Sequence, residues 1–119
     1  MRYLLLIYGE QSQYDQMTEA EMQADMQRWF DYTNELDEAK VSQGGAALQP
    51  TATATSLRSN GSGETLITDG PFAETKEELG GYYLLDVPNL DEAIKWARKC
   101  PGLDNGTIEL RPLMEFDGA

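Results

Sequence analysis

Two hydrophobic rhythms alternate along the chain. Arg2 to Tyr8 is an unbroken apolar run rich in Leu, Ile and Tyr, the length and composition of a strand buried on both faces or in the middle of a sheet. Polar residues from Gly9 to Gln16 end it. Thr18-Glu-Ala-Glu21 then carries capping-box spacing, a hydroxyl followed three residues on by a carboxylate, with Met17 placed to staple the entry. Met22, Met26, Trp29, Phe30, Thr33 and Leu36 recur at three- and four-residue steps, which predicts an amphipathic helix running to about Val41 and stopping before Gly44-Gly45. That Met and aromatic stripe is expected to be core. Glu19, Gln23, Asp25, Gln27 and Asp31 fall on the other face.

Beyond the helix the period shortens to two. Gly45 to Leu48 suits a short edge strand, closed by Pro50. Thr51 to Arg58 alternates β-branched Thr with Ala and Ser and predicts a strand. Small residues lie on both of its faces, so in a central position it needs a partner, a subunit or a ligand to fill the space above it. Asn60-Gly-Ser-Gly63 is a hairpin signal, because Asn and Gly tolerate positive φ, and Glu64 to Thr68 is the return strand. Tyr82 to Val87 predicts another strand, stopped by Pro88. Asn89 and Glu92 open a second helix whose apolar stripe is Leu90, Ala93, Ile94 and Ala97, with Lys95, Arg98 and Lys99 near its negative end. Pro101-Gly102 ends it. Thr107 to Phe116 closes the chain as a strand in which Pro112 implies an edge position or a bulge.

Strand, long helix, hairpin, strand, helix, strand is an α+β order, ferredoxin-like in outline: an antiparallel or mixed sheet with two helices on one face. The other face is then bare. Tyr3, Leu5, Tyr83 and Leu85 are expected to line it, and an apolar face of that size calls for burial. A homodimer packing sheet face on sheet face is the economical solution. Residues 1–119 make a single domain, long enough to fold without a disulfide or a metal.

Composition narrows the function classes. A net charge of −12 and a pI near 4.2 argue against nucleic acid and against an anionic membrane, both of which need Lys/Arg patches. No apolar run approaches the length of a membrane span, and the N-terminal run is too short for a secretory h-region, so a cytoplasmic protein is expected. Cys100 is the single cysteine and reads as structural. The chain has no histidine, which removes any Ser-His or Cys-His relay and leaves acid/base work to Asp, Glu, Lys, Tyr or Cys.

Candidate chemistry concentrates between two predicted strands, in Asp69-Gly-Pro-Phe-Ala-Glu-Thr-Lys-Glu-Glu78, where four acids flank one lysine. Asp69 before Gly-Pro has two readings: a turn residue accepting backbone N–H bonds, or a general base in a cleft. Gly70 permits a backbone geometry closed to other residues, and Phe72 is expected to anchor the loop. Glu74 is the second candidate acid or base. Lys76 is placed to orient an anionic group or to pair with Asp69 or Glu74, while Arg111 and Tyr82 are the remaining candidate ligand-binding side chains. No loop spacing identifies a metal site among these carboxylates, and no cofactor is implied.

Asp69 to Glu77 reproduces the nine-residue signature of the DGPFAETKE family, a branch of the YciI-like (YCII-related, DGPF-domain) bacterial proteins. Gly80-Gly-Tyr-Tyr, Leu90-Asp-Glu-Ala93 and Ile108-Glu-Leu-Arg-Pro112 resemble the same family in order, so the resemblance covers essentially the whole chain. It implies a dimeric α+β-barrel fold with ferredoxin-like subunits. Distant relatives use a proposed His–Asp pair, and one branch eliminates HCl from a chlorinated lactone. The acid of that pair corresponds to Asp69, but its histidine has no counterpart here. Family genes often lie beside extracytoplasmic-function sigma factors. The expected function is therefore small-molecule binding in a cleft near the signature loop, with or without acid/base catalysis. The alternative is a regulatory or interaction module for such a sigma factor, recruited by the acidic helix face.

Overall fold

The computed structural model describes residues 1–116. Its central element is a four-stranded antiparallel sheet with spatial order β2-β5-β1-β6, built from β1 (Arg2–Gly9), β2 (Ser42–Ala47), β5 (Glu78–Asp86) and β6 (Thr107–Pro112). Two helices, α2 (Glu19–Glu38) and α3 (Leu90–Lys99), pack on one face. This is the ferredoxin-like α+β arrangement expected from the element order. A short helix α1 (Gln11–Asp15) occupies the polar stretch after β1.

The apolar run of β1 alternates in space, not in composition. Tyr3, Leu5 and Ile7 are buried, whereas Leu4, Leu6 and Tyr8 are half-buried. Leu5, Ile7, Tyr32, Leu36, Leu85, Ala97 and Cys100 form the main core, and Tyr3, Val87 and Ala93 a second cluster beside it. The open face is therefore lined by Leu4, Leu6, Tyr82 and Leu84, in register as Leu4 opposite Leu84 and Leu6 opposite Tyr82. This corrects the expectation that Tyr3, Leu5, Tyr83 and Leu85 face outward. A run that is apolar at both parities carries no phase, so only packing against α2 and α3 decides which set turns in.

α2 starts where its cap predicts: Thr18 Oγ1 accepts from the N–H of Glu21 at 3.1 Å, and Glu21 Oε1 accepts from the N–H of Thr18 at 3.2 Å. It ends at Glu38, earlier than the glycines suggest. Lys40 adopts φ 59°, and the N–H of Val41 reaches the carbonyl of Leu36 at 3.1 Å, which closes a Schellman turn. Among the described residues, Trp29, Tyr32 and Leu36 are the side chains of α2 that pack into the core. Met22, Met26 and Phe30 are exposed, contrary to their reading as core. Tyr32 donates to the carbonyl of Trp96 at 2.8 Å and stacks edge-on against Tyr83, locking α2 to α3 and to β5.

The expected hairpin forms, but outside the sheet. β3 (Thr55–Ser59) and β4 (Thr65–Asp69) make their own two-stranded sheet, inserted between the second and third strands of the main one. Residues Thr51–Thr53 form a 3₁₀ turn instead of the first half of β3, and β6 stops at Pro112 on a sheet edge. The insertion gives the chain a radius of gyration of 16.7 Å, against roughly 13.5 Å for a compact domain of this length. The accessible surface is 8577 Å², where a compact monomer of this mass exposes roughly 6,450 Å².

Candidate functional site

The signature loop begins at the root of the hairpin. Asp69, the last residue of β4, stands opposite Thr55 and is exposed. Gly70 takes φ 101°, the left-handed geometry that favours glycine, and its N–H donates to the carbonyl of Ala54 at 2.6 Å. Its own carbonyl accepts from Ser56 Oγ at 2.7 Å. Phe72 is 81% exposed, so among the described residues it does not anchor the loop, contrary to its expected role. Beyond it the loop returns to the body through its later residues. Lys76 Nζ lies 3.4 Å from Glu10 Oε1, so its partner is neither Asp69 nor Glu74. The Glu77 carboxylate accepts from Thr107 Oγ1 at 3.0 Å, and Glu78 Oε2 accepts from Thr51 Oγ1 at 2.6 Å. Glu77 and Glu78 are thus tied to the body, while the Glu74 side chain is exposed.

The other two candidates stand elsewhere. Tyr82 and Arg111 both project from the open face of the sheet, across from Leu6 and Leu4 respectively, and Arg111 pairs with Glu109. The five candidate residues therefore fall into two groups, Asp69, Glu74 and Lys76 on the loop and Tyr82 and Arg111 on the open face. Among the described residues no group of three or more His, Cys, Asp or Glu side chains is placed to hold a metal ion.

A concavity lies on the helix side. A groove of about 830 Å³ runs between α2 and the edge formed by β2 and β5. One wall is the exposed Met22, Met26 and Phe30 stripe with Trp29 beneath it, and Tyr14 and Met17 close one end. The floor is small: Gly44, Gly45, Ala46 and Ala47 of β2, then Gly80 and Gly81 of β5. A Cβ on Gly45 would sit 2.5 Å from the carbonyl oxygen of Tyr82, so the close approach of β2 to β5 requires glycine there. Polar groups are sparse, with Asp25, Asp37 and Glu78 the charged ones, and no Lys or Arg lines the groove among the described residues. Tyr83 and Thr33 exchange a hydroxyl hydrogen bond of 2.7 Å at its inner side. Burial raises the phenol of Tyr83 above its ordinary range, as it does that of Tyr14, so both are neutral hydrogen-bonding groups at physiological pH. Such a surface suits an apolar molecule with a neutral or cationic polar end.

Sequence reasoning located the loop but missed the groove. The usable signal is that α2 carries two apolar stripes: Trp29, Tyr32 and Leu36 on one line, and Met22, Met26 and Phe30 on the next. One helix face against one sheet buries only the first. Glu78, read as the tail of the loop, lies in β5 and lines the groove.

A family model of the YCII-related domain matches residues 1–117 of the chain. An uncharacterized protein of Rhizobium meliloti (strain 1021) is 38% identical over 115 residues, which cover 95% of this chain and 92% of that protein.

Proposed function

The chain belongs to the YCII-related domain family, and from that premise we propose that it binds a small, largely apolar molecule in the groove between α2 and the β2–β5 edge. The observation that carries this reading is the 830 Å³ groove faced by exposed Met22, Met26 and Phe30, a volume and lining typical of small-ligand sites. The signature segment Asp69–Glu77 runs into it: Glu78, the next residue, lines the groove, and Lys76 pairs with Glu10, next to Gly9 and Gln11 on its rim. Asp69 and Glu74, on the same loop but outside the groove lining, are the proposed proton-transfer groups, with Lys76 as electrostatic partner. Tyr82 and Arg111 meet a ligand only from the open sheet face. There we propose homodimer packing through Leu4, Leu6, Tyr82 and Leu84, in a cytoplasmic protein. No helix among the described residues is long and apolar enough to cross a membrane.

Titration with the neutral solvatochromic dye Nile red tests the groove. Saturable binding that weakens at least tenfold in Phe30→Asp is expected, since Phe30 is exposed and its replacement spares the core. Equal binding by Phe30→Asp would overturn it. A second reading rests on α2 itself, which exposes Glu19, Glu21, Asp31 and Glu38 beside its apolar stripe. That combination suits docking to a basic amphipathic helix such as one of a sigma factor. An empty pull-down with the neighbouring sigma factor at low salt would remove this reading.

A further inference from the structure

We propose that the β3–β4 hairpin is an arm received by a second copy of the chain. It extends the second copy's sheet along the free edge of β2 and lays Leu57 and Ile67 over that copy's groove, supplying the wall the groove lacks. The inference rests on the homodimer reading above and adds where the two copies engage.

Four observations carry it. First, the chain exposes 8577 Å², roughly 2,100 Å² beyond a compact monomer of its mass, an excess comparable to one partner's share of a large, obligate-type interface. Second, among the described residues the hairpin has no extensive packing on another element: β3 and β4 pack chiefly on each other, and nearly all of their residues are exposed. An isolated two-stranded hairpin is marginal in water. This one carries Leu57 opposite Ile67 on one face, 62% and 69% exposed, with Leu66 on the other. Third, the two edges of the main sheet differ. β6 is guarded by Glu109, Arg111 and Pro112, which discourage strand addition. β2 reads Ser-Gln-Gly-Gly-Ala-Ala, with no charge and no proline, and is exposed along nearly its whole length. Fourth, the root is pinned. Thr51 is bound to Glu78, the 3₁₀ turn is closed by the N–H of Ala54 on the carbonyl of Thr51 at 3.0 Å, and the Gly70 to Ala54 bond continues the ladder to the base. The Thr51–Glu78 bond opposes a pivot of the arm back onto its own groove, whereas a second copy takes the arm as it stands. Five or six residues of strand reach roughly 20 Å from the root, enough to cross onto a neighbouring subunit. Arm addition is then β-augmentation by backbone hydrogen bonds, with the Leu57–Ile67 pair facing the second copy's Met26 and Phe30.

Cross-linking in trans decides it. In a Cys100→Ala background, one chain carries Ile67→Cys and another Met26→Cys; both positions are exposed, so neither change disturbs the core. After mixing and treatment with a short bis-maleimide, the expected product is a covalent species of twice 13.3 kDa from the mixture alone, at least tenfold reduced when the arm also carries Leu57→Asp. Cross-linking of the Ile67→Cys chain with itself would overturn the receiving site, because arms would then meet arms. A doubly substituted chain that links internally while the mixture does not would show the arm closing on its own groove. A species that sediments as a dimer without the mixed link overturns the arm and leaves the dimer standing; a monomer at micromolar concentration overturns both. Amide exchange supplies a check without substitutions. Protection of the β2 and hairpin amides is expected to rise with protein concentration, and concentration-independent exchange there contradicts the proposal.

Discussion

The chain builds two antiparallel sheets from similar local signals, and they end in opposite circumstances. The four-stranded sheet has bulky residues on both parities of β1 and β5, so one face can disappear beneath α2 and α3: Leu5, Leu36 and Leu85 are fully buried. The hairpin has Thr or Ser at half of its ten strand positions and three scattered large apolar residues, Leu57, Leu66 and Ile67, split between its faces. It has the turn chemistry to form, with Asn60 Oδ1 accepting from the N–H of Ser62 at 2.8 Å, but no bulk with which to make a core. Strand propensity and a good turn create β-structure; only a continuous apolar face gives it a place in a domain.

The sharpest test of that contrast is a matched pair of truncations. Leu36→Ala, in the body, is expected to cost about 2–5 kcal/mol of unfolding free energy in urea, because its side chain is wholly enclosed. Alkaline pH should find the same core by a different route. Burial pushes the Cys100 thiol up to about 11 from an ordinary 9.0, and raises the phenols of Tyr32 and Tyr83. A group whose folded pKa is raised contributes stability that is present below its unfolded pKa and lost as pH climbs through the folded value. The melting temperature should therefore hold up to about pH 9 and fall between pH 9 and 11, with Cys100 resisting iodoacetamide at pH 8 until the chain is unfolded. A flat profile to pH 11 would mean that these groups are hydrated in the body too.

Smaller effects come from the surface. Thr18→Ala removes the Thr18 hydroxyl that accepts from the N–H of Glu21, leaving the backbone N–H of residue 18 to Glu21 Oε1, and should cost about 1 kcal/mol, read as a lower urea midpoint at unchanged slope. Leu57→Ala, on the arm, should change the stability of dilute, dissociated chain by less than about 0.5 kcal/mol, since Leu57 is exposed there. A cost approaching that of Leu36→Ala in dilute solution would mean that the arm is part of its own body after all.

Much of this was legible in the residues. Caps at Thr18 and Asn89, the hairpin turn at Asn60-Gly-Ser-Gly63 and the edge position implied by Pro112 all depend on contacts within a few positions, and each is found. The errors share a cause. The end of α2 was set by Lys40 entering a left-handed geometry that a lysine does not advertise. The assignment of Met22, Met26 and Phe30 to the core failed because periodicity reports that a stripe exists, not whether anything lies opposite it. Hydrophobicity alone predicts an anchoring role for Phe72, whose ring stands exposed among the described residues. At the site, the sequence pointed to a loop of ionisable residues, while the groove beside it is made of methionines, aromatics, glycines and alanines whose chemistry is unremarkable until they enclose a volume.

The sequence by itself determined the element order, the helix starts, the two-helix α+β class and the YCII-related signature, because these depend on short-range periods, caps and turns. Tertiary structure alone decided which parity of β1 faces the helices, that the hairpin stands apart from the main sheet, and that the Asp69–Glu78 loop adjoins a groove through Glu78 and not through Asp69. The physical reason is the same in each case. Burial is a property of two surfaces, and a chain read one residue at a time displays only one of them.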